Sequence, residues 1–356
     1  MNEAVVNFAS DVGNYNLISL GNTTFNAGTD TYGGLAVYGN LTIDGATTIA
    51  QQPSLSGSNG NQEGFVLSTD PTLYVNGQLT LSAGVSLNSG YASLPNVTDS
   101  WSSSTPTQFA VPGGQILNST NASGSQVANS NYSSDYKHDP TLNPTPGTID
   151  GTTSSNWWAT LKAGDSVSDP TSFATISDSL AAAATTGTAK VDSGGNLVLT
   201  PSNTTGVQIF DIDASVLDAA KNIAIDVPQG DTYVINVQNA AGATLSGFND
   251  NSGNNTDQLL WNLEGTGATT LGSGGGAFYG SVLAPGINLT ADTAIQGQVV
   301  SDDFTLGSVQ LDEIAFVPTV SLPCPEPSTY ALAGAAVCGL GILLRRRAGR
   351  SVPAHV

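Results

Sequence analysis

Apolar and polar residues alternate in many very short runs, and this alternation is the strongest pattern in the sequence. Two runs, Leu41-Thr42-Ile43 and Leu79-Thr80-Leu81, follow Gly-Asn or Gly-Gln and lie 38 residues apart, and Leu197-Val198-Leu199 follows another Gly-Asn pair. A period of two places the outer residues of each run on one face of a strand and the middle residue on the other. Each run therefore predicts a short strand that begins at a turn.

Similar runs recur along most of the chain and predict further short strands. They are separated by Gly, Asn or Asp and comprise Leu73–Val75, Val85–Leu87, Val207–Ile212, Ile223–Val227, Tyr233–Val237, Ile287–Leu289 and Ala294–Val300. A chain of very short strands is typical of a β-solenoid, or parallel β-helix, in which each coil buries the apolar face of the next. The repeat period is not strict, so a β-sandwich remains the rival architecture.

One stretch has the period of a helix instead. Pro170 and Ser172 mark its start, Gly187 its stop, and three apolar residues between them would share a face, namely Phe173, Ile176 and Leu180. We predict an amphipathic helix over residues 172–184 that packs along the β core. The expected fold is mainly β: a solenoid-like body over residues 1–317 with one or two amphipathic helices.

Residues 98–155 interrupt this pattern. The stretch is rich in Ser, Thr, Asn, Gly and Pro with scattered aromatic residues. Such composition is typical of surface loops. We predict a polar, loop-rich insertion with little core of its own.

Composition and charge narrow the functional classes. The sequence has 41 glycines and 23 Asp against 5 Glu, which favours turns and strands over helices. Its formal charge is −20, and the residues before position 325 include no arginine. An acidic body is repelled by nucleic acids and by anionic membrane surfaces. The two cysteines, Cys324 and Cys338, lie at or beyond the body's end and predict neither a disulfide framework nor a zinc site.

The last residues form a tail of different character. A proline-rich linker at 318–324 precedes residues 325–356, where fifteen uncharged residues, Tyr330–Leu344, are followed by Arg345, Arg346 and Arg347. As a helix the run would span roughly 22 Å, short of a hydrocarbon core of about 30 Å. We nevertheless predict a single C-terminal transmembrane helix, stopped by the arginines on the cytoplasmic side, with the body outside the inner membrane.

The start of the tail resembles a known sorting signal. Pro325, Glu326, Pro327 and Ser328, followed by the apolar run and the arginines, are similar to the PEP-CTERM signal of Gram-negative bacteria. The resemblance implies export to the cell envelope and recognition by an exosortase, with the motif as its substrate. Residues 1–6 lack the features of a secretory signal peptide. We therefore expect that the start codon is misassigned or that an export signal has been removed.

A second resemblance covers most of the body and ends before the linker. Its landmarks lie in the order of choice-of-anchor A domains and comprise Tyr15–Ile18, Gly33–Asn40, Tyr233–Val237, Leu260–Asn262, Gly280–Pro285 and Ile295–Val300. Members of that family are regarded as adhesive and carry any of several surface anchors. The resemblance implies attachment to a surface or to an exopolysaccharide matrix, with extracellular polysaccharide or another surface as partner.

The residues give little support for catalysis. A polysaccharide lyase typically uses a basic residue beside a sugar carboxylate, whereas the body has no arginine and only four scattered lysines. His138, the only body histidine, lies in a loop without a nucleophile motif. We predict no enzyme activity. The alternative is a glycosidase-like, carbohydrate-active enzyme on a β-helix, recognisable by two carboxylates in a groove flanked by aromatic side chains. A smooth face of Thr and Asn would instead favour adhesion.

Few ligand sites can be proposed from the sequence. Trp157 and Trp158 are candidates for sugar contact, whereas Trp261 lies in an apolar strand and is expected in the core. Oxygen ligands between residues 248 and 257, with Asp250 and Asp257, suit a calcium ion, although a solvated loop is the stronger interpretation. No other cofactor is expected. Ice binding by threonine rows is disfavoured, because no Thr-x-Thr ladder repeats along the chain.

Overall fold

A computed structural model describes the chain at residues 3–6, 8, 12, 15–49, 73–82, 85–87, 92–93, 96–99, 109–110, 116–117, 170–202, 206–246, 256–272 and 276–323, except positions 222, 226, 313, 317 and 319. The chain divides into two compact units, one of residues 7–320 and one of residues 1–6 with 321–356. We call the first unit the body. In the second unit, residues 3–6 pair in a two-stranded sheet with the strand Val320–Pro323.

The strands are short throughout, as the sequence predicts. Numbered along the chain, they are β1 (Glu3–Val6), β2 (Tyr15–Ser19), β3 (Thr23–Phe25), β4 (Thr29–Asp30), β5 (Gly34–Val37), β6 (Leu41–Ile43), β7 (Thr47–Ile49), β8 (Leu73–Val75), β9 (Gln78–Leu81), β10 (Val85–Leu87), β11 (Ala92–Ser93), β12 (Asn96–Asp99), β13 (Phe109–Ala110), β14 (Ile116–Leu117), β15 (Gly187–Val191), β16 (Leu197–Pro201), β17 (Gly206–Asp213), β18 (Asp231–Gln238), β19 (Thr244–Leu245), β20 (Leu259–Leu263), β21 (Gly267–Leu271), β22 (Phe278–Tyr279), β23 (Ser281–Ala284), β24 (Ile287–Ala291), β25 (Ile295–Gln296), β26 (Val299–Ser301), β27 (Phe304–Leu306), β28 (Leu311–Asp312) and β29 (Val320–Pro323).

Parallel sheets form the faces of the body. The first face has ten strands in the order β14-β11-β8-β5-β2-β26-β23-β20-β18-β17, and the second has eight in the order β12-β9-β6-β3-β27-β24-β21-β19. The third face consists of the sheets β13-β10-β7-β4 and β22-β25-β28, joined by a parallel bridge between Thr31 and Leu311. Successive strands of the chain pass from face to face, which is the arrangement of a parallel solenoid.

Spatial order and chain order differ in this stack. Strand β2 lies in the middle of the first face, between β5 and β26. From β2 the coils proceed outward to β14, the chain re-enters the stack at its other end with β17, and later coils return to β26. The last coil of the body is therefore paired with its first.

Three strand predictions need correction. The run at Leu197 is a strand, but β16 pairs antiparallel with β15 as a hairpin and is not a solenoid coil. Ile223–Val227 forms no strand among its described residues, although Ile223, Ile225 and Val227 are buried in the core. The run 294–300 divides into β25 and β26 at Gly297, where a Cβ atom would lie 2.3 Å from the Gly280 carbonyl oxygen. Coils stacked this closely turn a corner at that point.

Helices accompany the strands of the body. Helix α1 spans Pro170–Ala181, two residues earlier at its start and three at its end than predicted, and contacts β18, β20 and β23 on the outside of the first face. Phe173 and Leu180 are buried as expected, while Ser177 is more deeply buried than Ile176. Helix α2 spans Ala214–Asp218 and begins at Asp213, whose side chain accepts a hydrogen bond from the Ser215 N–H.

The predicted insertion and tail lie mostly outside the described residues. Within 98–155, strands β13 and β14 and the end of β12 extend the three faces, so part of this stretch belongs to the stack and is not loop. Parallel pairing to β10, β11 and β9 provides their main-chain hydrogen bonds. None of the helices within the described ranges is long and apolar enough to cross a membrane. The run Tyr330–Leu344 falls beyond those ranges.

Candidate adhesive surface

A row of threonines crosses the second face from strand to strand. The parallel register aligns Thr80 with Thr42, Thr42 with Thr24, and so on through every described strand of this sheet; in spatial order the row is Thr80, Thr42, Thr24, Thr305, Thr290, Thr270 and Thr244. The backbone of Thr98 continues the row beside Thr80. Adjacent strands lie about 4.8 Å apart, so the seven hydroxyls extend over roughly 29 Å.

Strand alternation turns these threonines outward. Leu41 and Ile43 are fully buried in the core on either side of Thr42, which is half-buried, and Phe304 and Leu306 flank Thr305 in the same way. Successive side chains of a strand point to opposite faces, so the threonines stand on the outer side. β-branched residues also suit this pleated surface. We call the outer side of the second sheet the threonine face.

Amides and a few carboxylates border the row. Outward positions two residues before the threonines include Asn22, Asn40, Gln78, Asn288 and Asp303, and those two residues after include Asn26, Asp44, Ser82 and Asp292. All of these side chains except that of Asp303 are exposed. The threonine face is therefore polar and open to solvent.

A ladder of side-chain hydrogen bonds fixes the edge where the chain enters the threonine face. The Asn22 N–H donates to Asp303 Oδ1 at 2.6 Å, the Asn40 N–H to Asn22 Oδ1 at 3.0 Å, and the Gln78 N–H to Asn40 Oδ1 at 2.8 Å. Each side chain thus holds the backbone of the neighbouring coil. The ladder keeps the row in register without any ligand, which lowers the entropy cost of binding.

Charges on the threonine face are exclusively negative among the described residues. Burial, and then the neighbouring Asp303, raise the pKa of Asp302 at the same edge. The two lysines that the structure describes lie elsewhere: Lys190 is in the β15–β16 hairpin and Lys221 follows α2. An anionic ligand on this face would be repelled, since the side chains described there include no compensating cation.

Helix α1 covers part of the outer side of the first face, so this part offers no surface comparable to the threonine face. Asn262 donates to the Ser177 carbonyl at 3.0 Å and accepts from the Ser177 hydroxyl at 2.6 Å. Asn262 also donates to Asn236 Oδ1 at 3.0 Å, and Asn236 donates to the Leu180 carbonyl at 2.9 Å. We call these four residues the asparagine clasp. Both asparagines are fully buried, so the clasp has a structural role.

Two further carboxylates with raised pKa values, Asp312 and Glu264, lie away from the threonine face. Burial raises the pKa of Asp312 to about 6, against the effect of a hydrogen bond from Gln296. Burial, and then the charges of Asp211 and Asp178, raise the pKa of Glu264. Within the described ranges, three or more His, Cys, Asp or Glu side chains nowhere come together as metal ligands would.

The residues predicted as ligand sites are placed only in part. Trp157, Trp158, Asp250 and the sorting-motif residues Pro325, Glu326, Pro327 and Ser328 lie outside the described residues, as do Arg345, Arg346 and Arg347. Asp257 lies in a 3₁₀ turn, Thr256–Gln258. Trp261 is in the core as predicted, and its indole N–H donates to the Tyr279 carbonyl at 2.9 Å. Sugar contact and calcium binding at these positions stay predictions.

The structure is that of a parallel-solenoid protein with a long, regular, polar surface, the threonine face. Residues 8–312, which are most of the chain, match the family described as "Putative Ice-binding-like adhesive domain". The chain belongs to this family. Residues 323–347 match the PEP-CTERM protein-sorting motif. The choice-of-anchor A assignment is finer than this match and stays a prediction. Among curated proteins, none matches the chain.

The threonine row itself was missed by the sequence reasoning. Its members lie in eight strands that are neighbours in space but not in chain order, so no repeat of Thr-x-Thr occurs along the sequence. The available signal was weak: threonine occupies the middle of Leu41–Ile43 and Leu79–Leu81, and also of the segment 304–306.

Proposed function

We propose that the protein attaches the bacterial cell surface to extracellular polysaccharide or another surface, and that the threonine face makes the contact. The observation that carries this proposal is the row of outward threonines, bordered by exposed amides, on a rigid sheet. Membership of an adhesive-domain family supports it. A sheet of fixed geometry holds many hydrogen-bonding groups at the same height, which suits attachment to an extended surface.

The tail supplies the cellular location in this proposal. The match to the PEP-CTERM motif supports export and sorting by an exosortase. We propose that Tyr330–Leu344 holds the protein in the inner membrane until the exosortase acts at Pro325–Ser328. The body would then stand at the outer surface or in the matrix.

Attachment without catalysis fits the chemistry of the threonine face better than hydrolysis does. Glycosidases act with two carboxyl groups on either side of the scissile bond. The described outward side chains of the threonine face are mainly hydroxyls and amides on an open sheet, and the aromatic residues Phe25 and Phe304 of these strands point inward. We therefore propose a non-enzymatic role.

Deletion of residues 325–356 tests the proposal in cells. The deletion should release the protein into the medium, and attachment of the cells to a polysaccharide-coated surface should fall to the level of cells without the protein. Immunoblots of cell and medium fractions, together with counts of attached cells, give the readout. Retention of the shortened protein at the envelope, or unchanged attachment, would contradict the proposal.

Ice is a second candidate partner because the threonine row is present. The family's name describes its members as ice-binding-like, and a flat row of regularly spaced threonines could order water. Growth of ice crystals in the presence of the full-length protein tests this candidate. Shaped crystals and a lowered freezing point would support it, and unaltered crystals would exclude it.

A further inference from the structure

We infer that the partner of the threonine face is an uncharged polysaccharide that lies along the threonine row. The inference rests on the proposed function and narrows its partner to one chemical class. It follows from three properties of the threonine face: the spacing of its hydrogen-bonding groups, its charge, and the residue types at its outward positions.

Spacing favours an extended polymer over a small ligand. Neighbouring threonines of the row are about 4.8 Å apart, and the bordering side chains stand roughly 7 Å from the row along each strand. The seven described hydroxyls and the exposed amides of Asn22, Asn40 and Asn288 thus form a regular grid. A polymer with hydroxyl or amide groups on each unit can form hydrogen bonds repeatedly along such a grid.

The negative charge of the threonine face excludes anionic polysaccharides, and its few carboxylates do not favour cationic ones. Asp44, Asp292 and Asp303 border the row, while Lys190 and Lys221, the lysines in the described ranges, lie off this face. Uronate or sulfate groups would be repelled. The carboxylates are few beside the uncharged outward groups, and Asp303 already accepts a backbone hydrogen bond. Binding of a polycation is therefore not favoured over binding of a neutral chain.

Binding should grow with polymer length. The described outward positions of the threonine face carry no aromatic side chain on which a single sugar ring could stack. Each hydrogen bond contributes little net free energy of binding, and association itself has a large entropy cost. Many contacts along the roughly 29 Å row must therefore act together. A disaccharide should bind far more weakly than a long chain.

The test uses cells that display the full-length chain and fluorescent polymers of different charge. The probes are uncharged hydroxyethylcellulose and dextran, anionic alginate and cationic chitosan. One variant replaces three central threonines of the row, Thr24→Val, Thr42→Val and Thr305→Val, which keeps the β-branched shape and removes the hydroxyl. The matched control replaces outward threonines elsewhere, Thr48→Val, Thr188→Val and Thr200→Val.

The amount of each variant at the cell surface and its resistance to protease establish that it is folded. The single Thr42→Val change provides a milder variant.

We expect the native chain and the control variant to retain at least one uncharged polymer at least tenfold better than the row variant does. Binding should change little between low salt and 0.5 M salt, because it does not depend on charge. Equal binding by both variants, protein-dependent retention of only alginate or only chitosan, or retention of none of the probes would overturn the inference. If the native chain still mediates cell attachment in any of these cases, the proposed function stands and only the partner class is wrong. If the native chain itself does not mediate cell attachment, the proposed function is instead rejected.

Discussion

At the residue scale, stacked glycines set how closely the coils approach at the edge of the threonine face. The Gly39 N–H donates to the Gly21 carbonyl at 2.8 Å, and the Gly77 N–H donates to the Gly39 carbonyl at 2.9 Å. A Cβ atom on Gly39 would lie 2.5 Å from the Gly21 carbonyl oxygen. The sequence indicated a turn at Gly39 and Gly77, but the contact between them depends on the stack.

The Gly39→Ala substitution should lower the free energy of unfolding by about 2 kcal/mol or more, because backbone atoms that cannot turn away must move. Gly307→Ala is the control, since the nearest atom to its Cβ, the Ala291 carbonyl oxygen, would be 3.3 Å away. Chemical denaturation of both variants gives the comparison. An equal decrease in the free energy of unfolding of the two variants would contradict the conclusion that stacked glycines set the distance between coils.

Asp312 predicts a pH dependence of stability. Burial raises the pKa of its carboxyl to about 6, so the folded state binds a proton more tightly than the unfolded state does. The resulting stabilisation is complete below about pH 4 and is lost as the pH rises through about 6. Between pH 7 and pH 5 the native protein should gain about 1 kcal/mol relative to Asp312→Asn, measured by denaturation at both pH values. Parallel pH profiles for the two proteins would contradict this prediction.

At the element scale, helix α1 illustrates what periodicity predicts and what it leaves out. Apolar spacing located the helix to within a few residues and identified Phe173 and Leu180 as buried. It gave no signal for Ser177, a polar residue on the same face, because its partner Asn262 lies 85 residues away along the chain. Buried polar pairs of this kind depend on tertiary neighbours and not on local pattern.

The Asn262→Ala substitution should detach helix α1 locally and lower the free energy of unfolding by about 2 to 4 kcal/mol. It leaves the Ser177 hydroxyl and the side-chain oxygen Asn236 Oδ1 buried without Asn262 as partner, and burying polar groups without a hydrogen-bond partner is costly. Hydrogen exchange should become faster in residues 170–181 than in the strands of the second face. Exposed Asn288→Ala is the control and should change stability by less than about 0.5 kcal/mol. Unchanged exchange in α1 would argue against the asparagine clasp.

At the scale of the whole molecule, alternation predicted the architecture well but could not predict the stacking order. The 38-residue spacing of Leu41 and Leu79 corresponds to strands that pair directly, β6 with β9. In contrast, the pairing of β2 with β26 joins residues some 280 positions apart, and the irregular spacing of the coils conceals it. For the same reason the threonine row emerges only in three dimensions.

This order predicts an all-or-none response to truncation. A chain that ends at Asp292 loses β25–β28, and thereby the coil that joins the two halves of the stack at β2 and β3. It should lose cooperative unfolding and most of its β circular dichroism, whereas a chain that ends at Cys324 should keep both. A solenoid stacked in chain order would lose only a terminal coil. Cooperative unfolding of the shorter chain would contradict the stacking order.

The claim that the threonine face mediates attachment is tested most directly by counting cells attached to a polysaccharide-coated surface. Cells would display equal amounts of the native chain, the Thr24/Thr42/Thr305→Val variant or the Thr48/Thr188/Thr200→Val control. The account predicts that cells with the control variant attach in the same number as cells with the native chain, and that cells with the row variant attach in at least tenfold lower number. Equal attachment by all three would show that the contact is made elsewhere on the protein.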